Sequence, residues 1–188
     1  MQNAQDKAEI LEVVQHWALW RDTGNWGPLR TVYARNGRMS TMWFDGTADD
    51  FIAACKPAFG KGNSGHFMCG TAVSVHGSRG IANSRLMLVM RAKIDEVAVD
   101  MTCYGRFIDR FIKEDGHWCI AHRNTIYDKD CLVPVVPGVL PKLDHAELQS
   151  YPEGYRYLAY LQKRAGRGLT PDTPTWGSET LARLYRDN

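Results

Sequence analysis

The chain of 188 residues is 44% hydrophobic and 23% charged, and its formal net charge is only +2. These proportions are typical of a globular protein with its own core, and the balanced charge argues against nucleic acid or an anionic membrane as a partner. The five cysteines are scattered and form no Cys-x-x-Cys pair, so we expect neither a disulfide framework nor a zinc site.

The beginning of the chain is polar, and residues 1–9 lack the apolar region of a signal peptide. No apolar run approaches the roughly 18 residues that a membrane-spanning helix needs. The sequence therefore predicts a cytoplasmic protein without a membrane partner.

Residues 8–22 have the pattern of an amphipathic helix, because Leu11, Val14 and Ala18 recur at helical spacing. Asp22 follows one turn after Ala18 on the same stripe, so its carboxylate is expected to point where the apolar face points. The helix dipole disfavours an anion at this C-terminal end. Asp22 is therefore either a solvated helix-end residue or a functional carboxylate.

Two further helices and a strand are predicted before the main sheet. A short helix is predicted over residues 26–33 and a strand over residues 38–44. Thr47, followed three residues later by Asp50, has the form of a capping box and predicts the start of a third helix. Pro57 predicts a kink in that helix or its end.

From residue 65 onward the apolar pattern changes from helical spacing to alternation, which predicts long antiparallel strands. Glu114-Asp115-Gly116 is the strongest hairpin signal in the chain. Helices followed by strands predict an α+β fold in which the helices pack on one face of a curved sheet. The predicted strands cover residues 66–76, 81–94, 97–113 and 117–127.

After residue 130 the pattern changes again, and we predict a domain over residues 1–130 and a C-terminal extension over residues 131–188. Three prolines between residues 132 and 143 predict an extended connector. Helices are predicted over residues 146–164 and 179–185. We expect the tyrosine-rich extension to pack on its own domain or on a neighbouring subunit.

The order of these elements resembles the nuclear transport factor 2-like superfamily, and more narrowly its SnoaL-like branch. The resemblance covers about residues 5–130. The segments that carry it are WRDTGNW at 20–26, WFDG at 43–46, DGHW at 115–118 and YDKD at 127–130.

This resemblance implies a cone-shaped α+β barrel, in which a curved antiparallel sheet wraps around N-terminal helices and encloses an apolar pocket. The superfamily includes dehydratases, a dehydrochlorinase, isomerases, cyclases and lyases that release formaldehyde from lignin-derived compounds. Other members only bind ligands or hold subunits together. The fold therefore does not fix the function, which has to be argued from the site.

The resemblance also implies a catalytic pair. In the dehydratase and dehydrochlorinase members, an Asp at the end of the first helix pairs with a His on the strand after the third helix. Asp22 and His66 occupy these two places in this sequence. A histidine accepts a proton near neutral pH, and a carboxylate beside it fixes its tautomer and stabilises the imidazolium.

Arg123, Tyr33 and Tyr127 are further catalytic candidates, as groups that stabilise a leaving group or an oxyanion. The resemblance places polar pocket residues on the last strand, which includes Arg123. Strict alternation puts Arg123, Thr125 and Tyr127 on one face of that strand and Asn124 on the other. If the other face meets the pocket, Asn124 takes the role of Arg123.

The six tryptophans favour a pocket for a flat aromatic ligand, although aromatic residues at these spacings also form ordinary cores. The candidate residues of the pocket wall are Trp17, Trp20, Trp43, Phe67 and Met68.

We therefore expect a cofactor-independent lyase that eliminates water, halide or formaldehyde from a small apolar substrate, aromatic or polycyclic and of the lignin-derived kind. No nucleotide, flavin or metal motif occurs, so we predict no cofactor and no metal, and haem-type binding stays open. Two alternatives also stay open: enolate chemistry through Asp100 or Asp109, and a non-catalytic module for ligand binding or assembly. By analogy with relatives we expect a homo-oligomer, either a trimer or a dimer.

Overall fold

A computed structural model describes residues 2–60 and 62–186 of the chain. Within this part the helices are α1 (Gln2–Asp22), α2 (Trp26–Thr31), α3 (Ala48–Cys55), α4 (His145–Gln149), α5 (Arg156–Arg164) and α6 (Glu179–Arg186). The strands are β1 (Tyr33–Thr41), β2 (Phe44–Thr47), β3 (Asn63–His76), β4 (Arg79–Ile94), β5 (Val97–Glu114) and β6 (His117–Pro134).

The strands form one six-stranded sheet in the order β2-β1-β6-β5-β4-β3. This arrangement confirms the α+β class with a curved sheet, but the sheet is open, because β2 and β3 are edges that do not pair with each other. The four long strands predicted as antiparallel pair in that way, and β1 adds one parallel pairing, with β6. The chain between these two strands builds the rest of the sheet, so β1 is free to lie beside β6 in either direction.

Tight turns connect the three longest strands. The turn between β4 and β5 is Asp95-Glu96, with φ of 45° and 67°, and the turn between β5 and β6 is Asp115-Gly116, with φ of 50° and 84°. Two successive residues with positive φ characterise the two-residue hairpin turn that matches the twist of the flanking strands. The hairpin predicted around Gly116 is thus confirmed.

Helix α1 packs on one face of the sheet, which we call the inner face. Ile10, Val14 and Trp17 are buried there against side chains of β5 such as Phe107. Leu11, predicted on the core stripe, is 38% exposed, because the buried stripe is centred on its neighbours at positions 10, 14 and 17.

Helix α3 begins where the sequence predicts it. The Thr47 side chain accepts a hydrogen bond from the Asp50 backbone N–H at 3.2 Å, as an N-cap residue does. The helix ends at Cys55, and a short 3₁₀ turn over Lys56–Ala58 contains Pro57. The ring of this proline excludes a further helical hydrogen bond at that point.

A bulge in β6 changes which side chains share a face. Arg110 pairs with His122 but Phe111 pairs with Ile120, so Ala121 is an extra residue in the ladder. As a result Ile120 and Arg123 both face inward, and strict alternation along this strand is wrong.

The C-terminal part differs from the prediction in two respects. Strand β6 extends to Pro134, beyond the predicted end at residue 127, and so takes up part of the predicted connector. The predicted helix over 146–164 is divided into α4 and α5 by a segment that contains Pro152 and a 3₁₀ turn. Helix α5 buries Leu158 and Tyr160 in a second core with strand residues. No helix in the described part of the chain is long and apolar enough to cross a membrane.

We predict that Leu158→Ala lowers the free energy of unfolding by about 2–5 kcal/mol, because Leu158 is 1% exposed and its removal leaves a cavity in the second core. The matched control is Leu140→Ala, at a leucine that is 75% exposed, which is expected to change stability by less than about 0.5 kcal/mol. Urea unfolding monitored by circular dichroism measures both. Equal effects would show that α5 does not belong to the cooperative unit.

Candidate active site

The structure brings Asp22 and His66 together. Asp22 is the last residue of α1, and His66 lies near the beginning of the edge strand β3. The imidazole Nδ1 of His66 is 2.7 Å from Oδ1 of Asp22, and the backbone N–H of His66 donates to Oδ2 at 2.5 Å. Both side chains are mostly buried, with 17% of Asp22 and 11% of His66 exposed.

These two hydrogen bonds fix the orientation and the tautomer of the imidazole. An ionised carboxylate only accepts hydrogen bonds, so the Nδ1 of His66 carries the proton that it donates to Asp22. The other ring nitrogen, Nε2, then has a free lone pair when the ring is neutral. The arrangement is that of the Asp–His half of a catalytic triad.

Burial and the neighbouring groups keep the carboxylate ionised and the imidazole neutral. Burial acts to raise the pKa of Asp22, but the hydrogen bonds from His66 and the charge of Arg21 outweigh it and hold this pKa below its ordinary value. Burial lowers the pKa of His66, and the hydrogen bond to Asp22 offsets this only in part. The charge of Arg21, whose Nη1 is 3.2 Å from Asp22 Oδ1, lowers the pKa of both groups.

His66 lies where two spaces meet. The inner cavity, of about 40 Å³, is lined by side chains of both cores, such as Trp17 and Phe51 of the first and Leu158 of the second. The outer cleft, of about 920 Å³, opens between β3, β4 and the end of α5. Both spaces are lined by His66, Arg21, Trp43, Leu88 and Gln162.

The sizes of the two spaces restrict what each can hold. A dry cavity that binds benzene has a volume of roughly 150 Å³, so the inner cavity is too small for an aromatic ring. It has room for a small polar group, and the hydroxyl-bearing residues Thr41, Thr125 and Tyr127 line it. The cleft has ample room for a drug-sized molecule.

Arg123 lies behind the wall of the cavity. Its side chain is fully buried and forms two hydrogen bonds with Asp109, at 2.8 and 2.6 Å. The guanidinium lies 4.3 Å from the ring centres of both Trp17 and Phe107, which line the cavity. Its Nη1 has no hydrogen-bond partner in the described structure. Arg123 therefore lines neither the inner cavity nor the outer cleft, and its ion pair with Asp109 is buried.

The two tyrosine candidates lie in different environments. Tyr33 is buried in the first core, and its hydroxyl accepts a hydrogen bond from Trp17 Nε1 at 2.7 Å, away from both spaces. Tyr127 lines the inner cavity, and its hydroxyl accepts the backbone N–H of Met42 at 3.3 Å. Burial raises the pKa of both phenols well above the ordinary value, so both keep their protons.

Of the candidate wall residues, Trp17 lines the cavity and Trp43 lines both spaces. Phe67 is 52% exposed on the outer side of the edge strand. Asn124 lies on the outer face of β6, two residues before Ile126, which packs against α6. The residues that line neither space are Trp20, Phe67, Met68 and Asn124.

Several residues that line the site carry no local signal in the sequence. Arg21 is next to Asp22 in the sequence, and only the structure shows that it contacts that carboxylate and lines both spaces. Gln162 and Arg167 come from the C-terminal extension, beyond the part of the chain that carries the resemblance. Nothing local in the sequence indicates that these residues return to the mouth of the pocket.

Other carboxylates do not provide a base for the pocket. Asp100 is bound by Arg91 through two hydrogen bonds of 2.7 Å at the surface, and Asp109 is held by Arg123. Neither lines the cavity or the cleft. Among the described residues no cluster of three His, Cys, Asp or Glu side chains could hold a metal ion.

An open curved sheet that holds a helix and a pocket on its inner face defines the class of nuclear transport factor 2-like proteins. Within that class, a family model described as a SnoaL-like domain matches residues 2–124, and the chain belongs to this family.

Similarity in sequence and in structure to known proteins supports this assignment. The chain is 30% identical over 166 residues to Pea pathogenicity protein 2 of Fusarium vanettenii, which covers 86% of this chain and 71% of that protein. It resembles the structure of a putative scytalone dehydratase from Novosphingobium aromaticivorans, with a TM-score of 0.58, 15% identity, and coverage of 77% of this chain and 97% of that one. For a hexachlorocyclohexane dehydrochlorinase the TM-score is 0.57, with 8% identity and coverage of 76% and 96%. At these identities the structures show a shared fold.

We predict that Asp109→Asn lowers the free energy of unfolding by about 3–5 kcal/mol, because it leaves the buried charge of Arg123 without its carboxylate. The control is Asp100→Asn on the same strand, which breaks a similar two-bonded pair with Arg91 at the surface and is expected to cost far less. Thermal and urea unfolding compare the two variants. A loss for Asp109→Asn no greater than that for Asp100→Asn would contradict the structural role of the buried pair.

Proposed function

We propose that this protein is a cofactor-independent lyase, in which His66 is the general base and Asp22 orients it and balances its charge. The reaction is elimination of water, halide or formaldehyde from a small apolar, aromatic substrate. The observation that supports this most strongly is the paired hydrogen bonding of Asp22 to His66, which leaves Nε2 unprotonated where the cavity and the cleft meet.

For loss of water or halide, Nε2 of His66 takes a proton from a substrate carbon, and the electron pair of that C–H bond forms a carbon–carbon double bond. The leaving group departs from the neighbouring carbon with its own bonding pair. The carboxylate of Asp22 stabilises the imidazolium, which then returns its proton to the leaving group.

For loss of formaldehyde, Nε2 takes the proton of the hydroxymethyl O–H, and the carbon–carbon bond breaks as the carbonyl forms. The imidazolium then protonates the carbon that receives the electron pair. A positioned base of this kind contributes about 10²–10⁴-fold to the rate.

The inner cavity is suited to the small group that leaves. It is too small for a ring, and it presents the hydroxyl groups of Tyr127, Thr125 and Thr41. Tyr127 stays protonated because burial raises its pKa, so it donates a hydrogen bond to a departing oxygen or halide. The aromatic part of the substrate then lies in the cleft beside Trp43.

Arg123 acts on this site through its charge, and we assign no contact with the substrate to it. The guanidinium lies against Trp17, whose ring meets the His66 ring edge-on at 5.4 Å between centres. Its charge lowers the pKa of His66 and so favours the neutral base. Tyr33 positions Trp17 through their hydrogen bond.

Two observations favour this proposal over the alternatives. Enolate chemistry would need a carboxylate on a strand, Asp100 or Asp109, as the base in the pocket. Both carboxylates are instead bound to arginines outside the pocket. A module without catalysis has no use for a buried imidazole whose free nitrogen borders an open cleft, and it would tolerate separation of Asp22 from His66. A homo-oligomer and a cytoplasmic location stay predictions.

We predict that His66→Gln lowers turnover by at least about 100-fold in a screen of small aryl-substituted alcohols, halides and diaryl diols. His16→Gln is the control. His16 lies on α1, the helix that also carries Asp22, and it stacks on Trp20 at the surface side of that helix. In the wild type, turnover is expected to be constant at neutral pH and to fall as the pH drops through the lowered pKa of His66.

The matching variant Asp22→Asn is expected to reduce turnover while ligand binding is retained, because it removes the charge that stabilises the imidazolium. Ligand binding with no turnover by the wild type on any compound would contradict the proposal. Full turnover by His66→Gln would contradict it as well.

A further inference from the structure

The outer cleft is strongly cationic. Five of its lining side chains carry a positive charge, and Asp22 is its only carboxylate among the described residues. The positive side chains are Arg21, Arg91, Lys93, Arg164 and Arg167.

Three of these cations are neutralised by acidic neighbours that lie outside the cleft. Each forms an ion pair at the rim, where salt and water weaken its field. These pairs are Arg91–Asp100, Lys93–Glu96 and Arg164–Asp95.

Arg167 differs from the rim cations, because no acidic side chain in the described structure lies within 4.0 Å of its guanidinium. It is half-buried and lies over the ring of Trp43, 4.1 Å from the ring centre. The one hydrogen bond of its guanidinium is donated by Nη1 to the neutral Oε1 of Gln162, at 3.0 Å. Four of its five N–H donors are therefore available to a ligand.

Arg21 lines the same cleft, and it shares its carboxylate partner, Asp22, with His66. Arg21 and Arg167 both act on the thiol of Cys55, whose pKa is raised by burial and lowered by the two positive charges. The charge of Arg21 also adds to burial in lowering the pKa of Arg167. Two cations that line one cleft favour an anion bound between them.

We propose that Arg167 and Arg21 bind a carboxylate group of the substrate, so that the natural substrate carries one carboxylate on an otherwise apolar, aromatic frame. The planar guanidinium of Arg167 matches a carboxylate through two parallel hydrogen bonds, and Trp43 beside it offers an apolar face to the aromatic ring. His66 borders the same cleft, so a substrate anchored there presents its reacting carbon to Nε2. This inference rests on the proposed lyase function for its mechanism, while the carboxylate site itself is testable by binding alone.

The test compares 2-naphthoate with its neutral amide, 2-naphthamide, by isothermal titration calorimetry on the full chain. The wild type is expected to bind the carboxylate at least about tenfold more tightly than the amide, and less tightly as salt concentration rises. Arg167→Gln is expected to remove this preference by weakening naphthoate about tenfold or more and leaving naphthamide unchanged. Arg167→Lys, which keeps the charge but not the planar fork, should give an intermediate loss.

Arg164→Gln is the matched control, because Arg164 lines the same cleft but is already paired with Asp95. It is expected to leave the tenfold preference in place. Equal binding of the two ligands by the wild type would overturn the inference. Equal losses in the Arg167→Gln and Arg164→Gln variants would overturn it too, because they would indicate a diffuse surface field.

The variant His66→Gln separates this inference from the lyase proposal. It is expected to keep the preference for naphthoate over naphthamide, because Arg167 and Arg21 bind the carboxylate and His66 does not. An Arg167-dependent preference in a protein that turns over no substrate would support the site and contradict the lyase. Turnover of neutral substrates together with equal binding of naphthoate and naphthamide would support the lyase and contradict the site.

Discussion

The carboxylate of Asp22 accepts both the backbone N–H and the Nδ1–H of His66, and this double contact connects the parts of the structure that form the site. An anion at the C-terminal end of α1 is unfavourable for the helix dipole, so the contact with His66 has to offset that cost. The backbone donor is available because β3 is an edge strand. One interaction thus anchors the end of α1 to the sheet and orients the imidazole.

The charged side chains at the pocket form two separate systems: an inner system behind the cavity wall and an outer system at the cleft. Arg123 and Asp109 are fully buried behind the wall and joined by two hydrogen bonds, with Nη1 of Arg123 left without a partner in the described structure. The charge of Arg123 also acts on the pKa of His66. Arg21 and Arg167 face the cleft, and Arg167 is bound to no acid in the described structure. Burial, with the charges of Arg21 and Arg123, keeps the base neutral, and the outer system is also suited to a negatively charged ligand. Only the outer system comes partly from the C-terminal extension.

Much of this architecture was predictable from the sequence, because it depends on local signals. The cap at Thr47, the turn at Gly116 and the position of Asp22 on α1 each follow from neighbouring residues. The bulge at Ala121 was not predictable, since it changes a register that depends on the partner strand. The return of Arg167 to the cleft was not predictable either, because it depends on how a segment of irregular structure packs on the second core.

The chemistry of the site depends on Asp22 holding His66 as a neutral base with its proton on Nδ1. Long-range ¹H–¹⁵N correlation spectra of the imidazole at neutral pH test this protonation state, with Asp22→Asn and His66→Gln used to assign the signals. We expect a protonated Nδ1 that is shifted by a strong hydrogen bond and an unprotonated Nε2. A ring protonated on Nε2, or on both nitrogens at neutral pH, would show that Asp22 does not hold His66 in this form.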